Sequence, residues 1–143
     1  MRALLDVNVW IALLDTEHTF AQRVNDWIAG EKPAIASCPI VENGVVRIMS
    51  STGYSQRVKL SALEIATLLI KACLHVDHQF WPDDCSLRDS QTFDLTRLHG
   101  SRQITDAYLL ALAIAHGGRF VTLDDAIVLS AVRGASKKHL LVL

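Results

Sequence analysis

The chain has 143 residues, half of them hydrophobic and a fifth charged, with a formal net charge of −1. That composition fits one globular domain with a sizeable core, and residues 1–143 are read as a single domain. The near-neutral balance excludes a generally basic nucleic-acid binder, so any nucleic-acid contact must come from a local patch.

Ala3 to Leu5 reads as a short buried strand, followed by one or two helical turns over Val7 to Leu14. Thr19 to Ala29 is amphipathic, with Phe20, Val24, Trp27 and Ile28 at helical spacing, and Gly30 supplies a stop. "PAIAS" is a second strand, and "CPIVENGVVRIMSS" a helix with Pro39 in its first turn. After the polar turn "YSQRVKL", Ser61 caps a helix over Ala62 to Ala72, with Glu64 placed for a capping box. "LHVDHQFW" is extended, and the polar stretch "PDDCSLRDSQTFDLTRLHGSRQ" is loop with a short helix inside it. Thr105 is placed to cap an apolar helix, Ala107 to Ala115, which Gly117-Gly118 ends. "RFVTL" is a strand, "DDAIVLSAV" a short helix and "HLLVL" a last strand. Alternating strands and helices imply an α/β fold with a mostly parallel sheet.

No apolar stretch reaches the roughly 20 residues of a spanning helix, and Asp6 interrupts the apolar start, so neither a membrane span nor a secretory leader is expected. Cys38, Cys73 and Cys85 form no CxxC pair and suit a reducing, cytoplasmic setting as buried small hydrophobes.

In an open parallel sheet, sites form beyond the carboxyl ends of the strands. Asp6 follows the first strand, Glu42 lies in the helix after the second, Asp106 begins the apolar helix, and Asp124 with Asp125 follows "RFVTL". Each has an ordinary alternative: Asp6 and Asp124 or Asp125 as helix caps, Asp106 as a first-turn acid, Glu42 in a core salt bridge. Glu42 stands out, because it falls inside the apolar arc of Val41, Val45, Val46, Ile48 and Met49. Two carboxylates about 5 Å apart repel by roughly 3 kcal/mol at an effective dielectric near 20. Four of them call for divalent metal, and all-oxygen ligands favour Mg²⁺ or Mn²⁺. Such sites typically act on phosphates.

"LLDVNVWIALL", "CPIVENGVVRIMS", "HQFWPDD" and "ITDAYLLALAIAHGGRFVTLDD" together resemble the PIN-domain family, closely the VapC toxins of bacterial toxin–antitoxin pairs. The resemblance runs over nearly the whole chain. It implies a three-layer α/β/α sandwich and a metal-dependent endoribonuclease, acting on structured RNA such as tRNA, commonly homodimeric and inhibited by a VapB-like antitoxin. On this resemblance Asp6, Glu42, Asp106 and Asp124 are the metal-binding acids, with Mg²⁺ or Mn²⁺ as cofactor. Asn8 and Thr122 are polar supports. Asp125 stands where many relatives carry a basic residue, which leaves Asp124 and Asp125 both open for the fourth role. The chemistry implied is phosphodiester hydrolysis leaving a 5′-phosphate and a 3′-hydroxyl.

Three other readings compete. A receiver domain would need a lysine where "VTLDD" has acids. A PIN-like module that has lost catalysis and only binds a partner would bind no metal. A different metal-dependent phosphohydrolase would share the fold class. RNA contact would fall to local charges, of which Arg47, Arg57, Lys59, Arg88, Arg97, Arg102, Lys137 and Lys138 are candidates.

Overall fold

The computed structural model describes residues 1–143. Five short strands, β1 (Ala3–Leu5), β2 (Ile35–Ser37), β3 (His78–Phe80), β4 (Arg119–Thr122) and β5 (Leu140–Val142), form one sheet in the order β3-β2-β1-β4-β5. Every pairing is parallel. Five helices accompany it: α1 (Val7–Leu14), α2 (Ala21–Glu31), α3 (Pro39–Met49), α4 (Ala62–Leu74) and α5 (Arg102–Ala115).

The chain winds from β1 to β2 to β3, then crosses back to β4 and β5 on the other side of β1. Right-handed crossovers in opposite directions place their helices on opposite faces. Accordingly α1, α2, α3 and α4 pack together, while α5 packs on β1 and β4. This is the expected three-layer α/β/α sandwich. The three central strands are buried along nearly their whole length and read as continuous apolar runs, as strands covered on both faces must.

Helix α5 is buried continuously from Ala107 to Ala113. One side lies on the sheet; Trp81, Phe93, Ala131 and Val132 join the same core from the flanking loops. The segment read as a polar loop thus contributes cover to the core through Phe93, and the extended segment before it through Trp81. The polar segment contains one short 3-10 turn, Leu95–Arg97.

Several boundaries differ from the sequence reading. Helix α5 starts at Arg102, so Thr105 is inside it rather than its cap, and Asp106 stands beyond the first turn. The extra turn, "RQIT", is polar and carries no apolar periodicity to reveal it. Gly30 lies within α2, which ends one residue after it, where Lys32 takes a left-handed conformation just before Pro33. The "DDAIVLSAV" helix is not formed; only a 3-10 turn, Leu129–Ala131, appears there. The capping box of Ser61 and Glu64 is present, and α4 runs two residues past Ala72. All three cysteines are free thiols, Cys38 buried and the other two half-buried.

The contact between α1 and α3 is close because α3 presents Gly44 there. A Cβ on Gly44 would lie 2.8 Å from Val7 Cγ2. Valine has a stiff side chain and cannot swing aside freely. Gly44→Ala is therefore expected to destabilise the fold by about 1–3 kcal/mol. The same substitution made with Val7→Ala should cost clearly less, as read from urea-unfolding midpoints in a double-mutant cycle.

Candidate active site at the carboxyl edge of the sheet

Between β1 and β4 the winding of the sheet reverses, which is where open α/β sheets form their binding crevice. Leu5 pairs with Val121, and the ladder runs one residue further, with the Asp6 amide donating to the Val121 carbonyl at 2.9 Å. This seats Asp6 beside Thr122. Asp6 is only 7% exposed, although it is a carboxylic acid. Its Oδ1 accepts from the Val7 amide at 2.7 Å, as the N-cap of α1, and its Oδ2 accepts from the Thr122 hydroxyl at 2.8 Å.

The fully buried Thr122 hydroxyl also accepts from the Asp124 amide at 3.1 Å. One hydroxyl thus ties the first acid to the loop that carries the fourth. Asp124 Oδ1 in turn accepts from the Ala126 amide at 2.8 Å, shaping the turn where a helix was expected.

Asp106 faces this pair from α5. Burial, then the Asp6 and Asp124 charges, push its carboxyl up to about 6. Burial also raises Asp6; the Thr122 and Val7 hydrogen bonds oppose that, while Asp124 adds to it. Asp6, Asp106 and Asp124 are therefore within electrostatic reach of one another. None of them is paired with a lysine, arginine or histidine. Asp125 is exposed and contributes to neither shift, whereas Asp124 contributes to both.

Glu42 stands apart from this trio. It is half-buried in the first turn of α3, and its Oε1 accepts from the Ser37 hydroxyl at 2.5 Å. The core salt bridge considered for it is not formed. Ser37 Oγ also lies 2.8 Å from His78 Nε2. Burial lowers the affinity of His78 for a proton, Glu42 raises it, and Arg2 lowers it. The start of α3 is fixed from far along the chain, the Ile40 amide donating to Asp83 Oδ2 at 3.1 Å.

Asn8 is exposed and its side chain makes no hydrogen bond to an acid. It lines a cleft of about 390 Å³ with His18, Phe20, Leu123, Asp124 and Asp125. Ser37, His78, Asp83 and His18 were not among the expected site residues. Ser37 sits at the end of a strand, the same position class as Asp6 and Thr122, and that signal was available. His78 carried none, because its role depends on strand pairing.

The donor set is all carboxylate oxygen, concentrated and without a cationic partner, which fits a hard divalent ion. No three of the acids converge on one point as they stand.

The raised Asp106 sets a sign for stability. An acid whose folded value lies above its ordinary value stabilises the fold while protonated and stops doing so as pH rises through the folded value. Metal-free protein should lose stability between about pH 4 and pH 6 from this residue. Asp106→Asn should remove that dependence and raise stability at pH 7.5 by about 1 kcal/mol, solvent at the half-buried carboxyl screening much of the repulsion. Thermal melts in chelator at pH 4.5 and 7.5 measure it.

The PIN domain family matches residues 3–133. Ribonuclease VapC44 of Mycobacterium tuberculosis is 49% identical over 144 residues, covering 100% of both chains. Ribonuclease VapC39 of the same organism is 39% identical, covering 94% of this chain and 96% of its own. Among solved structures, VapBC2 from Rickettsia felis bound to a DNA fragment from their promoter superposes with a TM-score of 0.53. It does so at 14% identity, covering 88% of this chain and 90% of that one, so the likeness is one of fold. With the match over most of its length and relatives alike from end to end, this chain belongs to the PIN-domain family, in its VapC branch.

Proposed function

We propose that this chain is a Mg²⁺- or Mn²⁺-dependent endoribonuclease of the VapC type, cutting structured RNA such as tRNA. The observation that carries the reading is the trio of Asp6, Asp106 and Asp124 at the sheet reversal, repelling one another with no protein cation in reach. The ribonuclease names of relatives that match end to end support it.

Each residue has a distinct part. Asp6 is the rigid ligand, held by Val7 and Thr122. Asp106 approaches from the opposite layer and must give up its proton for the set to carry full charge. Asp124 comes from a short turn, pinned through its amide and its carboxylate. Glu42 would complete the set from α3. When bound, the divalent ion supplies positive charge that polarises the phosphodiester and favours ionisation of water. The products would carry a 5′-phosphate and a 3′-hydroxyl.

Among the basic candidates, Arg102 is best placed, exposed at the start of α5 about one turn before Asp106. Lys137 and Lys138 precede β5 and so lie at the amino edge of a wholly parallel sheet, opposite the acids. Arg57 and Arg97 are within ion-pair distance of Glu17 and Asp94.

The partner would be a VapB-type antitoxin, by likeness to VapBC2 from Rickettsia felis, whose fold this chain shares. Leu63, Ile70 and Leu74 on α4 are 77%, 62% and 78% exposed, and the α3–α4 groove that Ile70 and Leu74 line also holds Glu42. Replacing Ile70 and Leu74 together by Glu is expected to abolish co-purification with a co-expressed VapB-type chain. Light scattering of the purified protein tests the homodimer.

Wild type, freed of any partner, should cleave total RNA with Mg²⁺ or Mn²⁺ and stop in chelator. Asp6→Asn should cut at least 100-fold more slowly. Equal cleavage by the two would sink the proposal. The rival, an inert binding module, predicts no Mn²⁺ heat by calorimetry that Asp106→Asn removes.

A further inference from the structure

Strand β2 pairs with β3 so that Ile35 stands opposite His78. Side chains alternate across a sheet with period two, so Ser37 and His78 point to the same face. That face meets α1 through Trp10 and α3 through Glu42. The His78 ring is packed edge-on against the fully buried Trp10 of α1, centroids 6.1 Å apart and planes at 77°. Ser37 is completely buried. Its Oγ touches two polar atoms and no others: Glu42 Oε1 at 2.5 Å and His78 Nε2 at 2.8 Å.

The direction of this chain of bonds follows from counting hydrogens. An ionised carboxylate only accepts, so the Ser37 hydroxyl must donate its one hydrogen to Glu42. Its lone pairs then face His78, so Nε2 must carry a hydrogen and donate. The order is His78 Nε2–H to Ser37 Oγ–H to Glu42 Oε1. Such a run strengthens each bond in it and fixes the carboxylate's orientation. It leaves Glu42 Oε2 with no protein partner.

We propose that Ser37 and His78 are positioning residues of the metal centre, a two-residue relay that orients Glu42 so that one oxygen is anchored and the other is offered as a ligand. The inference rests on the metal-dependent reading above. It gives Glu42 a fixed orientation, which no bond to Asp6, Asp106 or Asp124 supplies. Ser37 and His78 touch neither ion nor substrate; they act through Glu42. Outer partners of metal ligands typically change metal affinity by 10- to 100-fold when removed.

The test has two readouts besides cleavage. In metal-free protein, ring ¹⁵N NMR should show His78 as the Nε2–H tautomer. In Ser37→Ala the His78 ring signals should move and Mn²⁺ affinity by calorimetry should weaken about 10-fold. His78→Leu should weaken it similarly, and His78→Gln, which keeps a donor nitrogen near the Nε2 position, should recover most of it. His78 is half-buried on a short strand, so its variants remain measurable should the buried Ser37→Ala fail to fold; circular dichroism melts check both. Wild-type Mn²⁺ binding with unchanged affinity in His78→Leu, or an Nδ1–H tautomer in wild type, would overturn the relay. Absence of Mn²⁺ binding in wild type, with Asp106→Asn indistinguishable from it, would instead overturn the metal-dependent reading on which the relay rests.

Discussion

Asp6 is buried because the strand that delivers it is central. Strand β1 has a neighbour on each side, the sheet reverses its winding beside it, and helices cover both faces. A residue at its carboxyl end is largely shielded from water. A carboxyl group there must be hydrogen-bonded, and the two bonds come from the first turn of α1 and the end of β4. The Thr122 hydroxyl is tied to the fold by the same constraint. Having donated to Asp6, it accepts from the Asp124 amide, so the turn after β4 is shaped by the residue at the end of β1.

That arrangement opposes stability. Burial and the two neighbouring acids raise Asp106, and Asp124 raises Asp6. Nothing cationic relieves them. The compensation lies in the apolar layers: a fully buried β1, an α5 buried over seven consecutive residues, and three tryptophans at 9% exposure or less. A core of that quality can carry a cluster of mutually repelling charges, as functional sites commonly require of the fold around them.

The alternation of elements, and so the α/β class, was legible because each strand is a short apolar run bounded by turn residues. Asp6 and Asp124 could be placed at strand ends from the sequence because each directly follows an apolar run. The first turn of α5 was not legible, since its residues are polar, and with it went the placement of Asp106 beyond that turn. The helix expected after Asp124 was illegible for a different reason. Its sequence has helical propensity, but Asp124 turns its carboxylate onto the Ala126 amide and the chain forms a turn. His78 was invisible because its partner, Ser37, is set by strand pairing 41 residues away. Asp83 was missed likewise: its bond to the Ile40 amide spans 43 residues. Local pattern reports local structure, and these contacts are long-range.

The proposed metal-binding acids therefore stand in two halves on either side of β1. One half, at the β1–β4 reversal, carries Asp6, Asp106 and Asp124 and is electrostatically strained. The other, at the β2–β3 pair, carries Glu42, whose carboxylate accepts from the Ser37 hydroxyl, itself in contact with His78. Separating them lowers the repulsion in the metal-free protein, because a fourth carboxylate held within about 5 Å of the trio would add roughly 3 kcal/mol for each neighbour at an effective dielectric near 20. Both halves stand on the same sheet, so β1 and β2 fix their spacing through backbone pairing. Glu42 also lines the α3–α4 groove, next to the exposed apolar side of α4. A chain seated in that groove, as proposed for the partner, would lie against Glu42.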